Sequence, residues 1–205
     1  MHASQLTLYI GAVFILAIAP GPDNIQVLVR GISQGRMAGF VAACGFAFGV
    51  IFHTTIAAVG LAAVLRASPV AFQMIKYAGA AYLFWIGIKS WRSGSLSVAG
   101  NAPKKSLWLV FRQCVIGNML NPKVTLFFLV FLPQFVQKNG PSPAIQMMIL
   151  GGIFMMMAFL VFSTIGIFAG TVGAWLKRNP KAGVWLDRLA GTTFIGVGLK
   201  VAFGD

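Results

Sequence analysis

The chain has 205 residues, of which 58% are hydrophobic and only 9% are charged. A soluble domain has about 25% charged residues, so this chain lacks the polar side chains that a soluble surface of its size needs. The apolar residues suffice for about six membrane helices of about 20 residues each. Because the chain has three Asp and no Glu, carboxylate-rich metal sites and two-carboxylate hydrolases are disfavoured. The composition predicts an all-α polytopic membrane protein that is not an enzyme and has no cofactor or metal.

Six apolar stretches are expected to span the membrane. Charge-free segments and proline positions place them, in chain order, at 6–29, 37–65, 70–91, 109–135, within 139–176, and at 185–203. We expect the first span to be broken at Pro20-Gly21-Pro22 and the fourth at Asn121-Pro122-Lys123, since proline interrupts the helical hydrogen-bond ladder.

The two halves of the chain resemble each other. Each half begins with a proline-broken helix, continues with a glycine-rich helix and ends with a helix between basic residues. Three spans per half predict an inverted repeat, although membrane helices also resemble one another by composition alone. We therefore expect a single membrane domain over 1–205, with repeats at 1–92 and 107–205 and a cytoplasmic linker at 93–106.

The net charge of +13 does not indicate nucleic-acid binding, because the basic residues lie in short runs between apolar spans. Eleven Lys and Arg belong to the first, third and fifth loops, against four on the other side. The positive-inside rule then places these three loops in the cytoplasm and both termini outside. The glycine-rich faces also suit a homodimer.

Asp23 is the acid that the pattern places at membrane depth. A carboxylate there is costly and is by default a functional hypothesis. Gly21 and the two flanking prolines open the helix just before Asp23 and Asn24, so these two residues begin a second half-helix. The alternative is that they only cap that half-helix.

The second break places a lysine at a comparable depth. Pro122 frees backbone carbonyls of the preceding turn, and unwound backbone is what transporters use to coordinate polar substrates. Lys123 could bind a carboxylate or pair with Asp23, or its side chain could extend to the membrane interface instead.

His53 lies in the second span. A histidine titrates near neutral pH and could relay protons there, although a hydrogen bond to a neighbouring helix is the more common role.

These residues together resemble the LysE/RhtB family of bacterial amino-acid exporters. The resemblance covers essentially the whole chain and rests on an ordered set of motifs: Ala19-Pro20-Gly21-Pro22-Asp23-Asn24, Ser33-Gln34-Gly35-Arg36 with Gly39, the closing motif Gly79 to Lys89, Asn118-Met119-Leu120-Asn121-Pro122-Lys123, and Leu132-Pro133-Gln134-Phe135.

The resemblance implies an inner-membrane secondary exporter of amino acids or close derivatives that uses the proton gradient. We expect the substrate to bind between the two broken helices, its ammonium at Asp23 and its carboxylate at Lys123. The expected substrate-binding residues are Pro20, Gly21, Pro22, Asp23, Asn24, Asn121, Pro122 and Lys123, and the expected proton-coupling residues are Asp23 and His53. The alternatives are an exporter of another small solute or ion and a membrane accessory protein that transports nothing.

Overall fold

The computed structural model describes residues 3–19, 21–61, 69–92, 103–137 and 140–203. Over these residues the chain is helical and contains no strand. The described part has nine α-helices: α1 Ala3–Ile18, α2 Pro22–Gln34, α3 Arg36–Ile56, α4 Pro69–Arg92, α5 Leu107–Met119, α6 Pro122–Leu126, α7 Pro143–Ile167, α8 Ala169–Arg178 and α9 Pro180–Phe203. A π-helical turn, Ala57–Leu61, continues α3; a second one, Phe127–Phe131, and a 3₁₀ turn, Leu132–Phe135, follow α6.

Both predicted helix breaks are confirmed. Gln5–Ile18 and Pro22–Gln34 meet at 52°, and Leu107–Met119 meets Pro122–Phe135 at 46°. In each pair the second helix starts at a proline, which lacks the N–H that a helix interior requires. Pro20 itself lies outside the described residues.

The second helices of the two halves, α3 and α7, pack antiparallel along a line of glycines. A Cβ on Gly39 would lie 2.5 Å from the Gly166 carbonyl oxygen, and Gly151 of α7 faces Thr54 of α3. Small residues at these crossings let the two backbones approach closely. These glycines therefore pack α3 against α7 within one chain.

The last helices of the halves, α4 and α9, also pack antiparallel. Ser90 Oγ donates to the Asp187 carbonyl oxygen over 2.9 Å. Further along, a Cβ on Gly198 would lie 3.0 Å from the Ala80 carbonyl oxygen. Two helices of the first half, α3 and α4, therefore pack antiparallel to α7 and α9 of the second half.

The end of the linker is hydrogen-bonded to α2. Gln34 donates its side-chain amide to the Lys105 carbonyl and accepts a hydrogen bond from the Lys105 backbone N–H. Arg30, buried on the same helix, donates to the Pro103 carbonyl oxygen over 3.0 Å. These bonds hold the start of the second half against the first half.

Two helical segments in the described part, Arg36–Gly60 and Pro143–Ile167, are long and apolar enough to cross a membrane. The number rises to four if each bent pair counts as one span. The fifth expected stretch contains α7 and a separate short helix, α8, which the sequence analysis did not predict. The sixth expected helix starts five residues earlier than predicted, at Pro180.

Candidate functional site

The two helix breaks lie against each other. The Asp23 carboxylate, in the first turn of α2, accepts a hydrogen bond from the side-chain amide of Asn118 at 2.9 Å and from that of Asn121 at 2.8 Å. Asn118 lies in the last turn of α5, and Asn121 lies directly before α6. The acid of the first break is therefore held by amides of the second break.

Lys123 makes the reciprocal contact. Its Nζ donates to the carbonyl oxygens of Leu16 at 3.2 Å and Ala19 at 3.3 Å, at the end of α1. It also lies 5.2 Å from the centre of the Phe194 ring. Carbonyls at a helix C-terminus attract a cation, and an aromatic face adds to that attraction. The Lys123 ammonium is thus held between helices instead of extending to the membrane interface.

Two asparagines fix the backbone at the breaks. Asn121 caps α6, because its side-chain oxygen accepts from the Lys123 backbone N–H at 3.0 Å while its amide donates to Asp23. Asn24 donates to the Ala17 carbonyl oxygen at 2.6 Å and so ties α2 back to α1. Asp23 itself does not cap its helix, since the N-cap residue is Gly21 and no side chain bonds there.

His53 approaches the site through Asn118. Its Nε2 lies 2.9 Å from the Asn118 backbone oxygen. Because a carbonyl can only accept, Nε2 carries the hydrogen. The side chain is buried, with the rings of Phe52 and Phe128 at 5.5 and 5.8 Å. His53 therefore makes an interhelical hydrogen bond, and a single residue, Asn118, lies between its side chain and that of Asp23.

Asn118 was not predicted as a site residue. It is 1% exposed and contacts both expected proton-coupling residues, and its Oδ1 has no hydrogen-bond partner. That oxygen faces Gly49 of α3, where a Cβ would lie 2.8 Å from it. The sequence signal was a polar residue in the last turn before the break, but helical periodicity alone does not say which helix it faces.

The sequence analysis also missed Asp187, on α9. Its side chain is 5% exposed, the same as that of Asp23. The charge of Asp187 attracts Lys123, as does the charge of Asp23. Lys123 therefore experiences two buried acids, one from each half of the chain.

A small cavity lies where these groups meet. It has a volume of about 20 Å³, enough for about one water molecule. Gly21, Pro22, Asp23, Asn24, Asn121 and Lys123 of the expected set line it, together with Asn118. Pro122 does not; its side chain is exposed. In this conformation the site has no room for an amino acid.

The arrangement does not suit a metal ion. No group of three or more His, Cys, Asp or Glu side chains comes together anywhere in the five described segments. The carboxylate is already bonded to two amide donors, and a lysine ammonium lies beside it.

Comparison with known proteins gives consistent matches. The model of the family described as LysE type translocator matches residues 14–204. A homoserine/homoserine lactone efflux protein of Salmonella typhimurium is 31% identical, covering 92% of this chain and 91% of its own length. Membrane proteins of uncharacterised function from Pseudomonas aeruginosa and Bacillus subtilis are 32% and 33% identical, with coverage of 93% or more of each chain. No solved structure matches.

Proposed function

Because the chain belongs to the LysE type translocator family, we propose that it exports amino acids or close derivatives across the bacterial inner membrane by proton antiport. The observation that carries this proposal is the contact between the two helix breaks, which brings Asp23 and Lys123 to one cavity. The relative named as a homoserine efflux protein supports an amino-acid-type substrate.

Substrate binding on this proposal begins with the displacement of Lys123. Its ammonium donates to the carbonyl oxygens at the end of α1. These oxygens can equally accept hydrogen bonds from the ammonium of a substrate. When a substrate ammonium takes these carbonyls and Asp23, the Lys123 side chain is released and can bind the substrate carboxylate. The side-chain amide of Asn121, which donates to Asp23 in the substrate-free site, is the second donor for the substrate carboxylate.

Proton coupling follows from the same carboxylate. A proton arriving from outside neutralises Asp23, weakens its attraction for the substrate ammonium and so releases the substrate. His53 is the second proton-coupling candidate, because an imidazole can carry a proton and Asn118 contacts both His53 and Asp23. The energy of proton entry is thereby linked to export.

We also propose the six-span inverted repeat, with both termini outside and 93–106 in the cytoplasm. The antiparallel pairs α3 with α7 and α4 with α9 support it, because an inverted repeat brings equivalent helices together in opposite directions. The reciprocal contacts of the breaks support it too: the first turn after each break bonds to the last turn before the other. At 24 residues each, α4 and α9 are about 36 Å long and can reach across a bilayer.

The test is efflux from cells that express the chain and are loaded with mixed dipeptides, with and without a protonophore. We expect selective efflux of amino acids that collapses when the proton gradient is removed. If no amino acid leaves the cells although the protein is present in the membrane, the proposal is wrong. The alternatives to test would then be export of another solute and an accessory role without transport.

A further inference from the structure

A second, larger cavity lies beside the breaks. It has a volume of about 420 Å³, within the usual size range of small-molecule sites. Five helices line it, namely α1, α2, α7, α8 and α9, and it opens to the surface of the molecule, where Phe14 and Trp175 are 45% and 52% exposed. Its walls include Phe14, Leu28, Ile165, Trp175 and Leu186.

The walls of this lateral cavity are apolar. Thr164 is one of the few polar residues among them, and its hydroxyl donates to the Leu160 carbonyl oxygen at 2.8 Å within its own helix. The hydroxyl hydrogen of Thr164 is therefore not available to a ligand in the cavity. The cavity offers hydrocarbon and aromatic surface, which favours an apolar occupant.

Asn24 lies between the two cavities. It lines both the small cavity at the helix breaks and the large lateral one. It also follows Asp23 directly in the chain, at the start of α2. A molecule with its charged groups at Asp23 and Lys123 would therefore have the apolar cavity next to it, on the far side of Asn24.

We propose that the lateral cavity receives the side chain of the exported amino acid, so that the preferred substrates have large apolar side chains, as leucine, methionine and phenylalanine do. This inference rests on the proposed function and adds the substrate class. The small cavity at the helix breaks holds only about one water molecule, so the lateral cavity is the adjacent space that can accept a bulky group. A small polar side chain would leave the apolar walls unfilled and would bind more weakly.

The test compares efflux of leucine, phenylalanine and serine from cells loaded with matched dipeptides. Val161→Trp and Val172→Trp fill the cavity from α7 and α8. Leu160→Trp is the matched control, because Leu160 is the neighbouring residue, is 54% exposed and does not line the cavity. The amount of folded protein in the membrane is measured for each variant, and two filling variants are used in case one fails to fold.

We expect the unaltered protein to export leucine and phenylalanine at least about 10-fold faster than serine. The filling variants should lose that preference while their serine efflux stays within about two-fold, and Leu160→Trp should behave like the unaltered protein. Serine efflux as fast as leucine efflux in the unaltered protein would overturn this inference but leave the proposed function intact. So would an unchanged preference in the filling variants, or an equal loss of all three substrates, as expected if the cavity holds a lipid chain. No efflux of any amino acid would overturn both.

Discussion

On the proposed function, Lys123 holds the position that the substrate ammonium takes. Its Nζ bonds to two carbonyls at the end of α1 and lies near the Phe194 ring. An internal ammonium at this point stabilises the substrate-free state, because the carbonyls at the break would otherwise lie unbonded in an apolar core. The substrate must therefore replace a bond that the protein already makes to itself.

Lys123→Met tests this role. The variant keeps an unbranched side chain of similar length but loses the cation, so the substrate carboxylate has no partner. Hydrogen bonds to charged groups contribute about 1.5–3 kcal/mol, so export should fall about 10-fold to 100-fold with the protein still present in the membrane. The measurement is efflux per amount of membrane protein.

Lys89→Met is the matched control for that variant. Lys89 lies at the end of α4, where its ammonium is 5.1 Å from the centre of the Trp85 ring, away from the breaks. Its replacement should leave export unchanged. Normal export by Lys123→Met would contradict a role for this lysine in substrate binding.

His53 can be tested by separating its hydrogen bond from its titration. His53→Gln still offers an N–H to the Asn118 carbonyl but cannot take up a proton near neutral pH. We expect normal amounts of protein, a several-fold slower export and a flatter dependence of export rate on pH. His53→Phe removes the donor as well and should slightly reduce the amount of folded protein, since a buried hydrogen bond contributes about 0.5–1.5 kcal/mol and the Asn118 carbonyl keeps its bond from the Asn121 backbone N–H.

An unchanged pH profile in His53→Gln would restrict His53 to its hydrogen bond. Of the two expected proton-coupling residues, Asp23 would then remain.

The sequence predicted part of this site. Asp23 and Lys123 were visible because charges are rare in the apolar spans and both directly follow a proline. Asn118 and Asp187 were not predicted, because their importance depends on which helix they face. Neither the spacing of residues nor their polarity contains that information.

At the scale of the elements, the breaks in the chain position the site. Pro22 and Pro122 were readable because proline has a fixed effect on a helix wherever it occurs. By contrast, α8 was not predicted: no charge separates it from α7 in the sequence, and it starts only two residues after α7 ends. The joint between α2 and α3 is a single residue, Gly35, with φ of 95°, a conformation that favours glycine.

The crossing of α3 and α7 gives a test at this scale. Gly166→Ala places a Cβ 2.5 Å from the Gly39 backbone. The atoms that it meets are backbone atoms of Gly39, which can move only if α3 moves. Overpacking of this kind costs about 1–3 kcal/mol. We expect a lower midpoint of thermal unfolding for the purified protein.

Gly152→Ala, on the same helix, is the control. A Cβ at Gly152 meets nothing within 4 Å, so the variant should be as stable as the unaltered protein or slightly more stable, because alanine is the better helix former. Equal destabilisation by both variants would mean that the α3–α7 crossing is looser than the structure has it.

For the whole molecule, the pairing of equivalent helices is the main feature that the sequence did not contain. Matched breaks and closing motifs predicted two similar halves, but they did not say that α3 faces α7 or that α4 faces α9. Those pairings come from the fit of small residues at specific crossings, such as Gly39 with Gly166. Such a fit depends on the three-dimensional path of both helices.

The proposed topology predicts that both termini are outside. A reporter that is active only outside the cytoplasm should work when fused to either end, and a reporter inserted in the linker 93–106 should work only in its cytoplasmic form. Termini on opposite sides would mean an odd number of spans and would contradict the inverted repeat.

The most direct measurement uses the purified protein in lipid vesicles with an imposed pH gradient. Movement of an amino acid against its own concentration gradient, driven by protons moving the other way, is the expected result. Asp23→Asn should lose this uphill movement, because its amide cannot be charged. Full proton-driven transport by Asp23→Asn would contradict the account, since the carboxylate that lies between the two breaks would then carry neither substrate nor proton.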